Sequence, residues 1–336
     1  MLASRGASDR VNSPHLPEVS EPQLSGAELR VWELSQLAAL VSLCDVGIDL
    51  VSLTEDDLEM CFPSDDAPLR AVFGTADGTA CVVLRILDEE VLGSVGKARS
   101  ARVELVVTHP SRRRRGLARS LIQAGEGWAR DHGAHEIRIG GEGTVGLFSG
   151  VDLRWTAALC LAESLEYESE GLIVDFVCPT VQTARLPSPP GVQVARVESE
   201  EQIQDVLQFV QRNAPSDLES FDRATSAGTS VLAQRSAGRD ILGVAAHSVG
   251  RLGVIGPVVL AATWDRRVAP DVEHADQAQL LAALLGVIRA DLSIAGMKSA
   301  EILGGSLLSP LVAACDARSG RVSQIYSRDL TMLRPS

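Results

Sequence analysis

The chain has 336 residues, of which 45% are hydrophobic, 22% charged and 4% aromatic, with a mean hydropathy of +0.11. That is enough apolar material for two cores and excludes a globally disordered chain. The formal charge is −13, and 29 of the 31 basic residues are Arg, with Lys only at Lys97 and Lys298. Such a chain is a poor generic binder of nucleic acid or of an anionic membrane, so any anion site must be a local gathering of arginines.

Residues 1–24 are rich in Ser, Pro and charge, and Pro14, Pro17 and Pro22 break any periodicity. They read as a mobile tail without the apolar core of a signal peptide. No apolar run approaches the ~20 residues of a membrane helix. The six cysteines form no CxxC pair and the six histidines no HxxxH pair. The expectations are a soluble cytoplasmic protein with reduced thiols and no metal.

After the tail, Leu29-Arg-Val-Trp32 leads into a helical pattern. The runs Leu69–Phe73, Ala80–Ile86 and Arg102–Val107 are apolar and partly alternating, and predict consecutive strands. A helix is expected from Gly116 to about His132, with Leu117, Leu121, Ala124 and Trp128 on one stripe and Gly133 as its stop. A strand (Glu136–Ile139), a helix (about Leu153–Ser164) and a strand (Leu172–Phe176) follow. The stretch Leu186-Pro-Ser-Pro-Pro-Gly191 then divides the chain. Beyond it Val192–Val197 answers Leu29–Trp32, and Glu301-Ile-Leu-Gly-Gly305 answers Glu136–Gly141, which points to an internal repeat of domain size. The predicted organisation is a tail (1–24), a first domain (25–182), a Pro-rich linker (183–190) and a second domain (191–336). Antiparallel strands followed by strand–helix–strand units define an α+β sandwich in each half.

One segment carries chemistry: Val103-Glu-Leu-Val-Val-Thr-His-Pro-Ser-Arg-Arg-Arg-Arg-Gly-Leu-Ala-Arg-Ser-Leu121. An apolar strand ends before Pro110, Arg112–Arg115 follow, and Gly116-Leu117-Ala118 opens an amphipathic helix. The amides of a helix's first turn point outward, the helix dipole adds partial positive charge, and small residues at Gly116 and Ala118 admit an anion to the backbone. The alternative, a solvated basic run or a nucleic-acid patch, is opposed by the strand-to-helix context and the acidity of the chain. Neither a Walker loop nor GxGxxG is present.

Arg113-x-x-Gly116-x-Ala118 after a strand, preceded by Pro110, resembles the R/Q-x-x-G-x-G/A acetyl-CoA signature of the GNAT (Gcn5-related N-acetyltransferase) superfamily. Leu147–Ala158 is similar to the FxPGVDxRYxxA segment of two-domain bacterial members. Gly253-Val-Ile-Gly-Pro257 and Ile325-Tyr-Ser-Arg328 resemble strands of their C-terminal module. The resemblance implies tandem GNAT-like α/β/α sandwiches, each a mixed, mostly antiparallel sheet flanked by helices. It also implies acetyl-CoA as co-substrate, with the pantetheine arm along Val106, Val107 and Thr108. The pyrophosphate would lie on the amides of Arg113, Arg114, Arg115, Gly116, Leu117 and Ala118. The acceptor is then a small-molecule or peptide amine that attacks the thioester directly, with a strand amide near Val107 stabilising the oxyanion. Glu104 is the candidate general base, because a carboxylate inside an apolar strand costs stability unless it is useful or wet. Strand alternation would set Glu104, Val106 and Thr108 on one face. The alternative is a solvated Glu104; His109 and Asp152 are further candidates.

Two departures matter. Aligning Leu165-Glu166-Tyr167 with the family's Leu-Gly-Phe sets Trp155 and Ala162 where an Asn and a general-acid Tyr are usual. In the second half, Val272, Ala275 and Gln277 fall opposite Arg113, Gly116 and Ala118, and Glu273 and Asp276 enter the cradle. The first domain is thus expected to work and the second to be degenerate. A non-catalytic acyl-CoA-binding or scaffold protein is the competing reading, and the acceptor and oligomeric state are left open.

Overall fold

The computed structural model describes residues 29–44, 58, 70–90, 97–140, 148–181, 188–214, 218–238, 240–247, 256–262, 274–302 and 316–331. The 1–24 tail lies outside them. The first half runs β1 (Leu29–Val31), α1 (Leu34–Leu43), β2 (Arg70–Thr75), β3 (Ala80–Glu90), β4 (Lys97–Thr108), a 3-10 turn (Pro110–Arg112), α2 (Leu117–Asp131), β5 (Glu136–Ile139), β6 (Val151–Asp152), α3 (Thr156–Ser164) and β7 (Glu168–Pro179). The second half runs β8 (Val192–Arg196), α4 (Glu200–Asn213), α5 (Leu218–Ser226), β9 (Ser230–Arg235), β10 (Ile241–His247), β11 (Gly256–Ala262), α6 (His274–Ile294), β12 (Ser299–Ile302) and β13 (Arg318–Asp329).

Each predicted element of the first half is present, because each carries the period its geometry demands. The stripe of α2 buries Leu121, Ala124 and Trp128 on the apolar face of β2–β5, while Gln123 and Arg130 stay exposed. Helix and sheet approach closely at Gly125, where a Cβ would meet Leu84 Cδ1 at 2.6 Å. The opposite face of β2–β4 packs Val72, Cys81, Val83, Leu105 and Val107 against Leu37, Leu40 and Val41 of α1. The second half repeats the layers. Helix α6 covers one face with Leu281, Leu284, Leu285 and Ile288, and α4 and α5 cover the other with Val206, Phe209 and Phe221. Ser199 caps α4 in a reciprocal box with Gln202.

The sheet is mixed and mostly antiparallel, as expected, with helices on both faces. Among the described residues it is continuous, in the order β1-β2-β3-β4-β5-β13-β7-β12-β11-β10-β9-β8, with β6 beside β13. Among the described residues only β4–β5 and β11–β12 are parallel pairs. Thus β13, which closes the second half in sequence, lies between β5 and β7 of the first half, and the far end of β7 pairs with β12. Alternation identifies 318–329 as a strand but says nothing of which strand it joins.

The crossing strand is held by polar groups as well as by its ladder. Arg328 donates to Glu126 Oε1 at 3.0 Å, and the Tyr167 hydroxyl donates to the same oxygen at 3.1 Å. Arg321 and Glu301 form a buried ion pair, with Nε to Oε1 at 2.7 Å. Arg289 caps the end of β7 through the carbonyl of Pro179 at 2.6 Å.

Candidate active site

Strand β4 pairs with β3 along its whole length but with β5 only from Ser100↔Glu136 to Val103↔Ile139. Beyond that point β5 turns away at Gly140, whose φ is +86°. Among the described residues, 104–108 therefore have no strand partner on that edge, where the two parallel strands part. The residues assigned to a pantetheine arm, Val106, Val107 and Thr108, form that edge.

The chain then folds into a short loop fixed by local polar bonds. His109 Nδ1 lies 2.8 Å from Ser111 Oγ and accepts from the Ser111 amide at 3.3 Å. Arg113 Nε donates to the Thr108 carbonyl at 3.2 Å, and Arg112 pairs with Asp77 at 3.3 Å. Arg114 (φ 66°) and Gly116 (φ 81°) adopt left-handed backbone. That conformation is cheap for Gly and costs about 1–2 kcal/mol for Arg. Arg113, Arg114, Arg115 and Gly116 are exposed, and among the described residues nothing lies within 4 Å of a Cβ built on Gly116. The first helical bond of α2 runs from Ser120 N to Gly116 O, so the amides of Leu117, Ala118 and Arg119 have no intrahelical acceptor. Open space, outward amides and neighbouring guanidiniums are what a pyrophosphate needs. The residues fit the acyl-CoA that the motif implies.

Glu104 departs from the expected alternation. Val83 faces Leu105 while Leu84 faces Val103, so Glu104 is the extra residue of a β-bulge. The bulge switches the pleat: Val103 and Val106 pack on the α2 side, Leu105 and Val107 on the α1 side. Glu104 accordingly does not share a face with Val106. It lies on the α1 side, with its carboxylate 3.7 Å from Arg70 Nε and 3.8 Å from Arg85 Nη1. The Glu104 side chain is 1% exposed, which removes the solvated alternative, and neither oxygen accepts a hydrogen bond among the described residues. Burial pushes its carboxyl above the usual carboxylate value, against the lowering pull of Arg70, Arg85, Arg102 and Arg223.

The other candidate bases are otherwise engaged. His109 orders the loop. Asp152 is buried and grips Arg154, with Nε at 2.9 Å from Oδ1 and 3.0 Å from Oδ2. Burial raises the Asp152 carboxyl, but the hydrogen bonds and charge of Arg154 prevail and hold it below the ordinary value. Tyr167 is core, 5% exposed, with its hydroxyl on Glu126. Glu166 has left-handed backbone, with φ 62°. Trp155 stands at the N-cap of α3 and Ala162 is buried, with no hydroxyl to offer.

In the second half, Val272 and Glu273 lie outside the described residues, and Ala275, Asp276 and Gln277 sit in the first turn of α6. Among the described residues no group of three or more His, Cys, Asp or Glu could hold a metal ion, and no helix is long and apolar enough to cross a membrane.

A model of the acetyltransferase (GNAT) family matches residues 49–147, the stretch that contains β2 through α2 and β5. Among solved structures the chain is similar to the GCN5-related glucosamine N-acetyltransferase region of a fungal multi-domain GH3 β-N-acetylglucosaminidase, with a TM-score of 0.69 at 15% identity. The match covers 91% of this chain and 38% of that protein. A tandem GNAT protein from the clavulanic acid biosynthesis pathway gives a TM-score of 0.65 at 16% identity, covering 92% of this chain and 99% of that one. A GCN5-related N-acetyltransferase from Sphaerobacter thermophilus gives 0.62 at 15% identity, covering 90% and 95%. A comparison with curated proteins found no match. The fold is therefore that of the GCN5-related N-acetyltransferases, and the segment matched by the family model holds the strand, loop and helix of the site.

Proposed function

We propose that the protein is an acyl-CoA-dependent N-acyltransferase of the cytoplasm that uses acetyl-CoA and acetylates a primary amine at one site, in the first half. The observation that carries this reading is the parting of β4 from β5 directly before an open, arginine-flanked turn of amides at Gly116. The backbone of Val106, Val107 and Thr108 would hold the pantetheine arm, and the amides from Arg113 to Ala118 the pyrophosphate. When bound, acetyl-CoA supplies an acyl group activated as a thioester. Glu104 takes the proton of the acceptor's ammonium group at its carboxylate, for which a value raised by burial makes it a stronger base than a solvated Glu.

The second reading, a non-catalytic acyl-CoA-binding protein, draws on Trp155 and Ala162, which offer no proton to a departing thiolate. Calorimetry and a thiol assay separate the two. One acetyl-CoA site per chain, with free CoA thiol released on addition of some member of an amine panel, is the expected result. Binding without release across the panel would favour the second reading, and two equivalent sites would refute a degenerate second half.

A further inference from the structure

The parting of β4 and β5 has a closed end, and aromatic side chains stand at it. The last pair of the two strands is Val103↔Ile139, and β5 turns away at the next residue, Gly140. A Cβ on Gly140 would collide with Gly150 Cα and the Ser149 carbonyl, so the segment that leads into β6 lies directly against this turn. Phe148, which precedes Ser149, comes after β5 in the chain. It nevertheless packs against the cluster that holds Cys81, Val83, Leu105 and Val107 on the α1 side of β3 and β4. Phe148 therefore reaches across the gap that β5 leaves beside residues 104–108.

Its ring is held on two sides. Trp155 at the N-cap of α3 meets it edge to face, with centroids 4.9 Å apart and planes at 82°. The guanidinium of Arg321 in β13 lies over the ring, 5.6 Å from its centroid. Arg321 is itself fixed by its buried pairing with Glu301 of β12, so strands of the second half help to place the ring. Phe148 and Trp155 are only half-buried, unlike Trp32, Phe73, Trp128, Tyr167, Phe209 and Phe221. The pair thus keeps apolar surface in hand at the closed end of the cleft, where a buried apolar group of a ligand can end on it.

In the acyltransferase reading the pyrophosphate lies at Arg113–Ala118 and the arm runs back along Thr108, Val107 and Val106. The acyl group then points towards residue 104 and the closed end. We infer that Phe148 is the wall on which the acyl group ends, and that it restricts the donor to short-chain acyl-CoA thioesters. That an acyl-CoA is bound rests on the acyltransferase reading; the size limit rests on the fixed aromatic ring. One methylene too many in a filled apolar pocket costs roughly tenfold or more in discrimination. The arrangement also gives the second half a part in the site, through Arg321 behind the ring.

The test is calorimetry on the full chain with acetyl-CoA, butanoyl-CoA and hexanoyl-CoA. The wild-type protein should bind acetyl-CoA at least about tenfold more tightly than hexanoyl-CoA, with butanoyl-CoA between them. Phe148→Ala should shrink that ratio at least fivefold, through a gain for hexanoyl-CoA. Phe148→Leu keeps apolar bulk on the core cluster, should shrink the ratio at least twofold, and carries the test if Phe148→Ala does not fold. Equal or tighter binding of hexanoyl-CoA by the wild-type protein, or a ratio unchanged in the folded variants, overturns the inference. Acetyl-CoA binding without size selection sinks the wall alone and leaves the acyltransferase reading standing. Binding of none of the three thioesters sinks that reading, and the wall with it.

Discussion

In each half a strand with a parallel neighbour is followed by a long helix packed on its sheet, and the halves differ in the residues between strand and helix. Among the described residues, β4 runs five residues past its last partner in β5, and β11 runs three past its last partner in β12. Each then leads towards a long helix packed on its sheet. In the first half the connection carries four arginines and a left-handed Gly116 with open space beside it. In the second half the aligned residues are Val272, Ala275 and Gln277, with Glu273 and Asp276 among them. The helices differ likewise: α2 keeps a polar outer face, whereas Leu280 to Leu285 of α6 are buried in unbroken succession. The parallel pair and the helix over it follow from packing, and both halves preserve them. Anion binding needs charge and bare amides as well, and those are independent of the core.

The comparison can be broken most forcefully at the seam. Glu301 of β12 and Arg321 of β13 are both buried, and removing one partner leaves a lone charge inside, at a cost of about 3–5 kcal/mol. Glu301→Ala should lower the denaturant midpoint by that much and do so in a single transition, because β13 belongs to the first half's sheet. The double variant Glu301→Met with Arg321→Met should recover part of the loss. Two separate transitions would mean that the halves fold independently.

Glu104 gives the next largest effect. Glu104→Gln should leave acetyl-CoA affinity almost unchanged and slow transfer to a good acceptor by roughly 10²-fold, the usual worth of a positioned base. The wild-type rate should rise with pH as the carboxylate ionises, with its limb displaced above the ordinary Glu value, and the variant should lose that limb. Stability should move the other way. A carboxyl whose folded value is raised holds its proton longer in the folded protein, so unfolding free energy falls as pH rises from the ordinary Glu value through the raised one. Glu104→Gln should flatten that fall. Full activity in the variant at neutral pH would assign catalysis to positioning in the cleft.

A matched pair of substitutions sharpens the contrast at the cradle itself. Gly116→Glu places a side chain and a negative charge among the amides, and acetyl-CoA affinity should drop at least tenfold, about 1.4 kcal/mol. Ala275→Glu, at the aligned position of the second half, should change it by less than twofold. Equal losses in calorimetry would show that both halves bind the nucleotide.

Much of this was legible in the residues. The period of Leu117, Leu121, Ala124 and Trp128 specifies α2, and the alternation of residues 80–86 specifies β3, because burying one face is the main local demand on each element. The loop from Pro110 and the open helix start at Gly116 were legible too, since such a junction is made by neighbours in sequence. The line of Arg70, Arg85, Arg102 and Arg138, which face one another across β2 to β5, was not, although single arginines inside the apolar runs of β3 and β4 are the signal that could have raised it.

Sequence by itself thus determined the elements and the strand-to-helix loop from Pro110 to Ala118. Tertiary structure decided three things. The bulge at Glu104 reversed the pleat and turned that carboxylate towards the arginines. Register brought Arg70, Arg85, Arg102 and Arg138 into one line. Strand exchange put β13 beside β5 and β7. All three depend on which strand lies next to which and in what register, and those are set by long-range pairing and core packing, to which a local pattern of residues is blind.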